Sequence, residues 1–150
     1  MKTIIAGSRD IIELFCTCKA ECTTDCTKNA DAYNYFERVI NSCPWKITEI
    51  VSGTALGADS LGEVYAYHNN IPVKKFKPVW SKYGRKAGPI RNAEMANYAD
   101  ACIVIWDGES RGSDNMIKQA KAHGLKLMTQ VPNEMGMDEF WGTHRDFEDE

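Results

Sequence analysis

The chain has 150 residues, of which 43% are apolar and 26% charged, and its formal net charge is −3. That length makes one ordinary globular domain with its own core and leaves no room for two. The sequence holds no apolar run long enough to cross a membrane as a helix. The apolar stretch in Met1–Gly7 is too short for a secretion signal, so a cytoplasmic location is expected.

Thr3–Ala6 is a short β-branched run ending at Gly7-Ser8 and predicts the first strand. Asp31–Ile40 sets Tyr33, Phe36, Val39 and Ile40 at helical spacing, and Pro44 stops that helix. Asp10–Phe15 is a second helical candidate. Ile47–Val51 predicts the second strand. Asp59–His68 follows as a helix with Leu61, Val64, Tyr65 and His68 on one face. Ile71-Pro72-Val73 opens a third strand, and residues 80–90 read as a long polar loop. A helix over Pro89–Tyr98 carries its proline in the first turn, where no N–H is needed. Ala101–Trp106 is apolar throughout, as a central parallel strand is, and Cys102 belongs to its core face. Asn115–His123 predicts a helix closed by Gly124, and Leu125–Met128 a fifth strand.

Residues 133–150 carry seven acids and one base, which leaves 17 bases and 14 acids elsewhere. The expected organisation is a domain over 1–132 with a Cys-rich insert at 10–30, then a loosely attached acidic tail at 133–150. Strands alternating with helices through short turns imply a single Rossmann-like α/β domain of three layers. Its sheet would be mostly parallel, of about five strands, with helices on both faces. The body is too mildly basic for duplex nucleic acid, which wants a strongly cationic face. It suits a small anion better.

Three strand ends carry glycine turns: Gly7-Ser8-Arg9, then Ser52-Gly53-Thr54-Ala55-Leu56-Gly57-Ala58-Asp59, then Asp107-Gly108-Glu109-Ser110-Arg111-Gly112-Ser113. In a doubly wound sheet all strand C-termini share one edge, and ligands bind there. Glycines let N–H groups approach an anion, and helix N-termini add partial positive charge. Each turn alone is ordinary connection chemistry, and neither a P-loop nor a G-x-G-x-x-G is present. The signal is the set of three. It makes Gly7, Ser8, Arg9, Gly53, Thr54, Ala55, Gly57, Asp107, Ser110, Gly112 and Ser113 candidate ligand contacts.

Asp59 and Glu63 lie four apart on one helix face and suit ribose hydroxyls or acid–base work; helix-terminus stabilisation and a solvated face are the plainer roles. Arg91 and Asn92 open a helix beside the polar loop. The guanidinium there can clamp a phosphate, or pair with Glu94 on the surface. Trp80 and Tyr83 suit either base stacking or packing of their loop. His68, His123 and His144 show no metal-ligand spacing among themselves.

These segments, together with Gly88-Pro89-Ile90-Arg91-Asn92-Ala93-Glu94-Met95 and Ala99–Gly108, resemble the SLOG superfamily of Rossmann-like nucleotide-binding domains in its YspA-like branch. The likeness spans residues 2 to about 128. It implies a parallel sheet, a nucleotide-type ligand at the strand edge, and self-association, here expected as a homodimer. The superfamily also includes DprA and the Lonely Guy phosphoribohydrolases, which cleave the N-glycosidic bond of nucleoside monophosphates. Their Arg-Lys-x-Glu-Met segment is similar to Arg91–Met95, which places Arg91 on their catalytic arginine. Their Gly-Thr-x-x-Glu, set on Gly112-Ser113, puts Met116 where the catalytic glutamate belongs, with Asp114 two residues away. A thioether cannot accept a proton or stabilise an oxocarbenium ion, so the same hydrolysis is not expected.

The insert carries Cys16, Cys18, Cys22 and Cys26. As a helix it would stack three of them along one face, from which a straight helix cannot wrap an ion tetrahedrally. The usual C-x-x-C pairs are absent. Plain thiols are expected, with zinc or a redox or disulfide role as alternatives.

The functional expectation is a binder of a nucleotide or nucleotide-derived signal, acting as a sensor or sequestering protein. Amides near Gly53–Gly57 and Gly112-Ser113 would hold phosphates, Arg9 and Arg91 would neutralise charge, and Asp59 would take a ribose hydroxyl. One alternative is a nucleotide hydrolase using Arg91 with Asp59, Glu63 or Asp114. The other is a protein-interaction module with a vestigial pocket.

Overall fold

The structure is a computed structural model that describes residues 1–18, 21–132 and 147–148. Five parallel strands alternate with helices: β1 (Lys2–Gly7), α1 (Lys28–Asn41), β2 (Glu49–Ser52), α2 (Ala58–His68), β3 (Val73–Lys75), α3 (Trp80–Tyr83), α4 (Ala87–Tyr98), β4 (Ala101–Ile105), α5 (Arg111–Ala122) and β5 (Lys126–Gln130). A two-residue strand β6 (Phe147–Glu148) runs antiparallel on β5, pairing Met128 with Phe147. The sheet order is β3-β2-β1-β4-β5-β6, so the order reverses between β1 and β4. The expected acidic tail at 133–150 otherwise lies outside the described residues.

Strand alternation splits the apolar residues between two cores. On one face Ile5, Ile103 and Ile105 meet Phe36, Val39 and Ile40 of α1 and Leu61 and Tyr65 of α2. On the other, Ile4, Cys102 and Val104 meet Met95 and Ala96 of α4 and Met116 and Ala120 of α5. Burial of a continuous run on both sides is why Ala101–Ile105 shows no polar alternation.

Three expectations change. The loop at 80–90 contains α3 and a 3-10 turn (Gly84–Lys86) that runs directly into α4, which starts at Ala87. Pro89 sits inside the first turn, where its missing N–H costs nothing. Helix α5 starts four residues earlier than its apolar spacing suggests, because Ser110 caps it by accepting the Ser113 N–H at 3.3 Å. The insert is not a continuous helix: a 3-10 turn (Ile11–Phe15) buries Ile11 and Phe15, and Cys16–Cys18 and residues 21–27 are non-helical. Among the described residues no helix is long and apolar enough to cross a membrane.

Candidate functional site

The three glycine turns lie on one rim, at the C-terminal ends of β1, β2 and β4, where an α/β sheet of this topology presents its ligand crevice. They are wired to one another. The Asp107 N–H donates to Ser8 Oγ at 3.0 Å, and the Ala58 N–H donates to the Ser8 carbonyl at 3.3 Å. Gly57 has φ +77, and a side chain there would run into the carbonyls of Ser8 and Arg9.

Between the turns opens a cavity of about 560 Å³. The range of small-molecule sites is roughly 300–1,000 Å³. Arg9, Arg85, Arg91 and Arg111 line it, against Asp10, Asp59 and Asp107. Met95 and Met116, both buried, give it an apolar floor. A shallower hollow of about 250 Å³ adjoins it, lined by Gly53, Thr54, Lys77 and again Arg9, Trp80 and Arg91.

Arg91 is half-buried on α4. Its Nη1 donates to the Gly53 carbonyl and its Nε to Asn92 Oδ1 at 2.9 Å. It therefore turns into the rim and not toward Glu94. Asn92 is buried and its amide donates to Asn115 Oδ1 at 3.0 Å, joining α4 to the first turns of α5. Asn92 thus orients Arg91 while standing in the cavity wall.

Asp59 is buried, and its Oδ2 accepts the Ala55 N–H at 3.0 Å. Burial pushes its carboxyl up to about 6, with the Ala55 amide and the Arg91 charge pulling the other way. Thr54, held at φ 63, gives its N–H to Ser52 Oγ at 3.1 Å. Two amides expected to face phosphate are therefore already bonded within the β2 turn. In the β4 turn, Asp107 Oδ1 accepts the Glu109 and Ser110 N–H groups, each at 2.8 Å, which holds its carboxyl below the usual range. The cationic side chains and the start of α5 supply the remaining positive potential.

The cavity gathers Gly7, Ser8, Arg9, Ala55, Asp59, Arg91, Asn92, Asp107, Ser110, Gly112 and Ser113. Gly53 and Thr54 line the adjoining hollow, and Gly57 lines neither. Glu63 is turned away: Ser52 Oγ donates to it at 2.6 Å and Lys75 Nζ stands 3.8 Å off. One helical turn carries it about 6 Å down the axis from Asp59, behind the rim. Asp114 pairs with Lys118 at 2.9 Å. Arg85, Arg111 and Asn115 are cavity residues that periodicity could not single out, because loop and helix-start positions carry no burial pattern. Trp80 is half-exposed over both hollows.

Away from the rim, the four insert cysteines converge, with all sulfurs within 4.8 Å of one another. Such crowding, led by Cys16, pushes the Cys22 thiol up to about 12.

Fold and rim together define a Rossmann-like α/β domain with a cation-lined crevice at its topological switch point. Among solved structures, it superposes on DNA processing protein A (DprA) from Streptococcus pneumoniae with a TM-score of 0.56 and 16% identity, over 96% of this chain and 62% of that one. The two share a fold, and this chain spans less than two-thirds of the DprA chain. Among curated proteins, it is similar to the Gene 61 protein of Mycobacterium phage D29, 29% identical over 85 residues that cover 53% of this chain and 68% of the phage protein. No family model matches the chain.

Proposed function

We propose that this chain is a SLOG-type domain of the YspA-like branch that binds a nucleotide or nucleotide-derived phosphate compound at the β1/β4 rim. The observation that carries this reading is the convergence of Arg9, Arg85, Arg91 and Arg111 on one cavity above an apolar methionine floor. Guanidinium groups match phosphate oxygens in planar pairs, and a half-buried one is poorly screened by water. Trp80, exposed beside the arginines, offers a face for the base. Asp59 stands in the wall as an acceptor for a ribose hydroxyl.

Met116 in the cavity floor leaves no carboxylate at the position where the Lonely Guy enzymes, which the sequence resembles, keep theirs. Binding without turnover is the reading this favours. A hydrolase reading rests on one observation: Asp59 is a buried carboxyl brought to about 6, a value suited to general acid–base work.

The test is mass spectrometry of the small molecules released from purified protein, followed by thermal shift with that compound and a nucleotide panel. A co-purifying nucleotide that raises the melting temperature is expected. Absence of any co-purifying phosphate compound, with no shift across the panel, overturns the proposal. Chromatography of nucleotide incubated at high protein concentration separates the two readings: released base or phosphate supports the hydrolase, and unchanged nucleotide eliminates it.

A further inference from the structure

We propose that Cys16, Cys18, Cys22 and Cys26 form a structural zinc site, with one Zn²⁺ held by four thiolates. The site rests on these sulfurs alone and stands whether or not the rim cavity takes a nucleotide.

The geometry is that of a single ion. Tetrahedral zinc with Zn–S bonds of about 2.3 Å puts its sulfurs about 3.8 Å apart. Cys16 Sγ lies 3.6 Å from Cys22 Sγ and 3.7 Å from Cys26 Sγ, and no two of the four sulfurs are more than 4.8 Å apart. A disulfide needs about 2.05 Å, and all four cysteines are free thiols. An iron–sulfur cluster spreads its four cysteines around two or more irons and so needs a wider cage. All-thiolate donors exclude magnesium and calcium, which take oxygen.

Lys28 follows Cys26 by two residues and its Nζ pairs with Glu13 at 2.9 Å, so a cation stands at the end of the segment to offset part of the charge of a tetrathiolate centre.

Among its described residues, burial does not account for the shape of the segment. None of its described residues from 16 to 27 is buried, and its internal backbone hydrogen bonds include Glu21 N–H to Cys18 O and Cys26 N–H to Thr23 O. Ordering each residue costs conformational entropy, and polar surface residues recover little of it. A metal closes the deficit, as it does in small metal-folded modules. Binding is not a redox step: four thiols release four protons as four Zn–S bonds form, leaving a centre of charge −2. The ion would anchor the stretch between Phe15, which is packed in the core, and the start of α1.

The experiment is elemental analysis of tag-free protein purified under reducing conditions, followed by Co²⁺ titration of the stripped protein. One zinc per chain is expected, and Co²⁺ should give sulfur-to-metal charge-transfer and tetrahedral d–d bands saturating at one equivalent. Cys16→Ser and Cys22→Ser should lose the metal, while Cys43→Ser keeps it. Should a variant fail to fold, the wild-type stoichiometry and the Co²⁺ spectrum decide alone. Protein that purifies without metal and gives no Co²⁺ bands, a disulfide found by mass, or iron with acid-labile sulfide would each overturn the zinc assignment.

Discussion

Arg91 and Asp59 approach one another across Gly53. A Cβ on that glycine would stand 2.6 Å from Arg91 Nη1 and 2.9 Å from Asp59 Oδ2. The two side chains spend their hydrogen bonds on the backbone of the same turn, Arg91 on the Gly53 carbonyl and Asp59 on the Ala55 N–H. A cation and a carboxyl are thus held side by side at the rim by the loop that separates them.

Arg91→Ala should weaken binding of the phosphate ligand by about 2–4 kcal/mol, as loss of a desolvated charge partner does. Arg91→Lys should recover part of this, because it restores charge without the planar fork. Calorimetric titration reads both. An unchanged affinity in Arg91→Ala would remove Arg91 from the site.

Gly53→Ala tests the packing directly. The new methyl needs room that Arg91 occupies, so the guanidinium must move. Overpacking of this kind costs about 1–3 kcal/mol of stability. Denaturant unfolding should show that loss, and affinity should fall with it. A variant with wild-type affinity would mean that the position of Arg91 is not critical.

Asp59 makes stability depend on pH. Its ordinary value of 3.8 rises to about 6 on burial, so between those values the folded chain keeps a proton that the unfolded chain has released. Stability therefore falls as pH rises from about 4 to about 6 and is level above that window. Asp59→Asn keeps an acceptor for the Ala55 N–H and removes the charge. It should flatten this slope and stabilise the protein at neutral pH by up to roughly 2–3 kcal/mol. For an anionic ligand the wild type should bind more tightly below pH 6 and the variant should not show that change. Chemical denaturation and titration across pH 4–8 check both.

Trp80→Ala should leave the fold intact, since the side chain is 51% exposed and belongs to neither core. Loss of base stacking should cost about 1–3 kcal/mol of nucleotide affinity. Equal affinity for a nucleotide and for inorganic phosphate in the wild type would count against a stacked base.

How much was legible follows from the kind of signal each part carries. The strands at Thr3–Ala6 and Ala101–Trp106 stand out as continuous apolar runs and the helix at Asp59–His68 by its repeated apolar spacing, and both signals survive in one dimension. The rim was readable as three glycine turns after three strands, since a parallel sheet sends every such end to the same edge. The start of α5 is not legible from apolar spacing because Ser110 caps it through local backbone chemistry, and α4 begins two residues before Pro89 because a proline fits anywhere in a helix's first turn.

The amino-acid order by itself determined a parallel α/β domain and which edge of it collects the glycine turns, because alternation and turn chemistry are local properties. Which turn amides are already bonded, that Glu63 faces Lys75 and not the cavity, that Arg85 and Arg111 join Arg91, and that four insert sulfurs meet at one point were decided only in three dimensions. Each depends on where side chains from distant segments end up, and no local period encodes that distance.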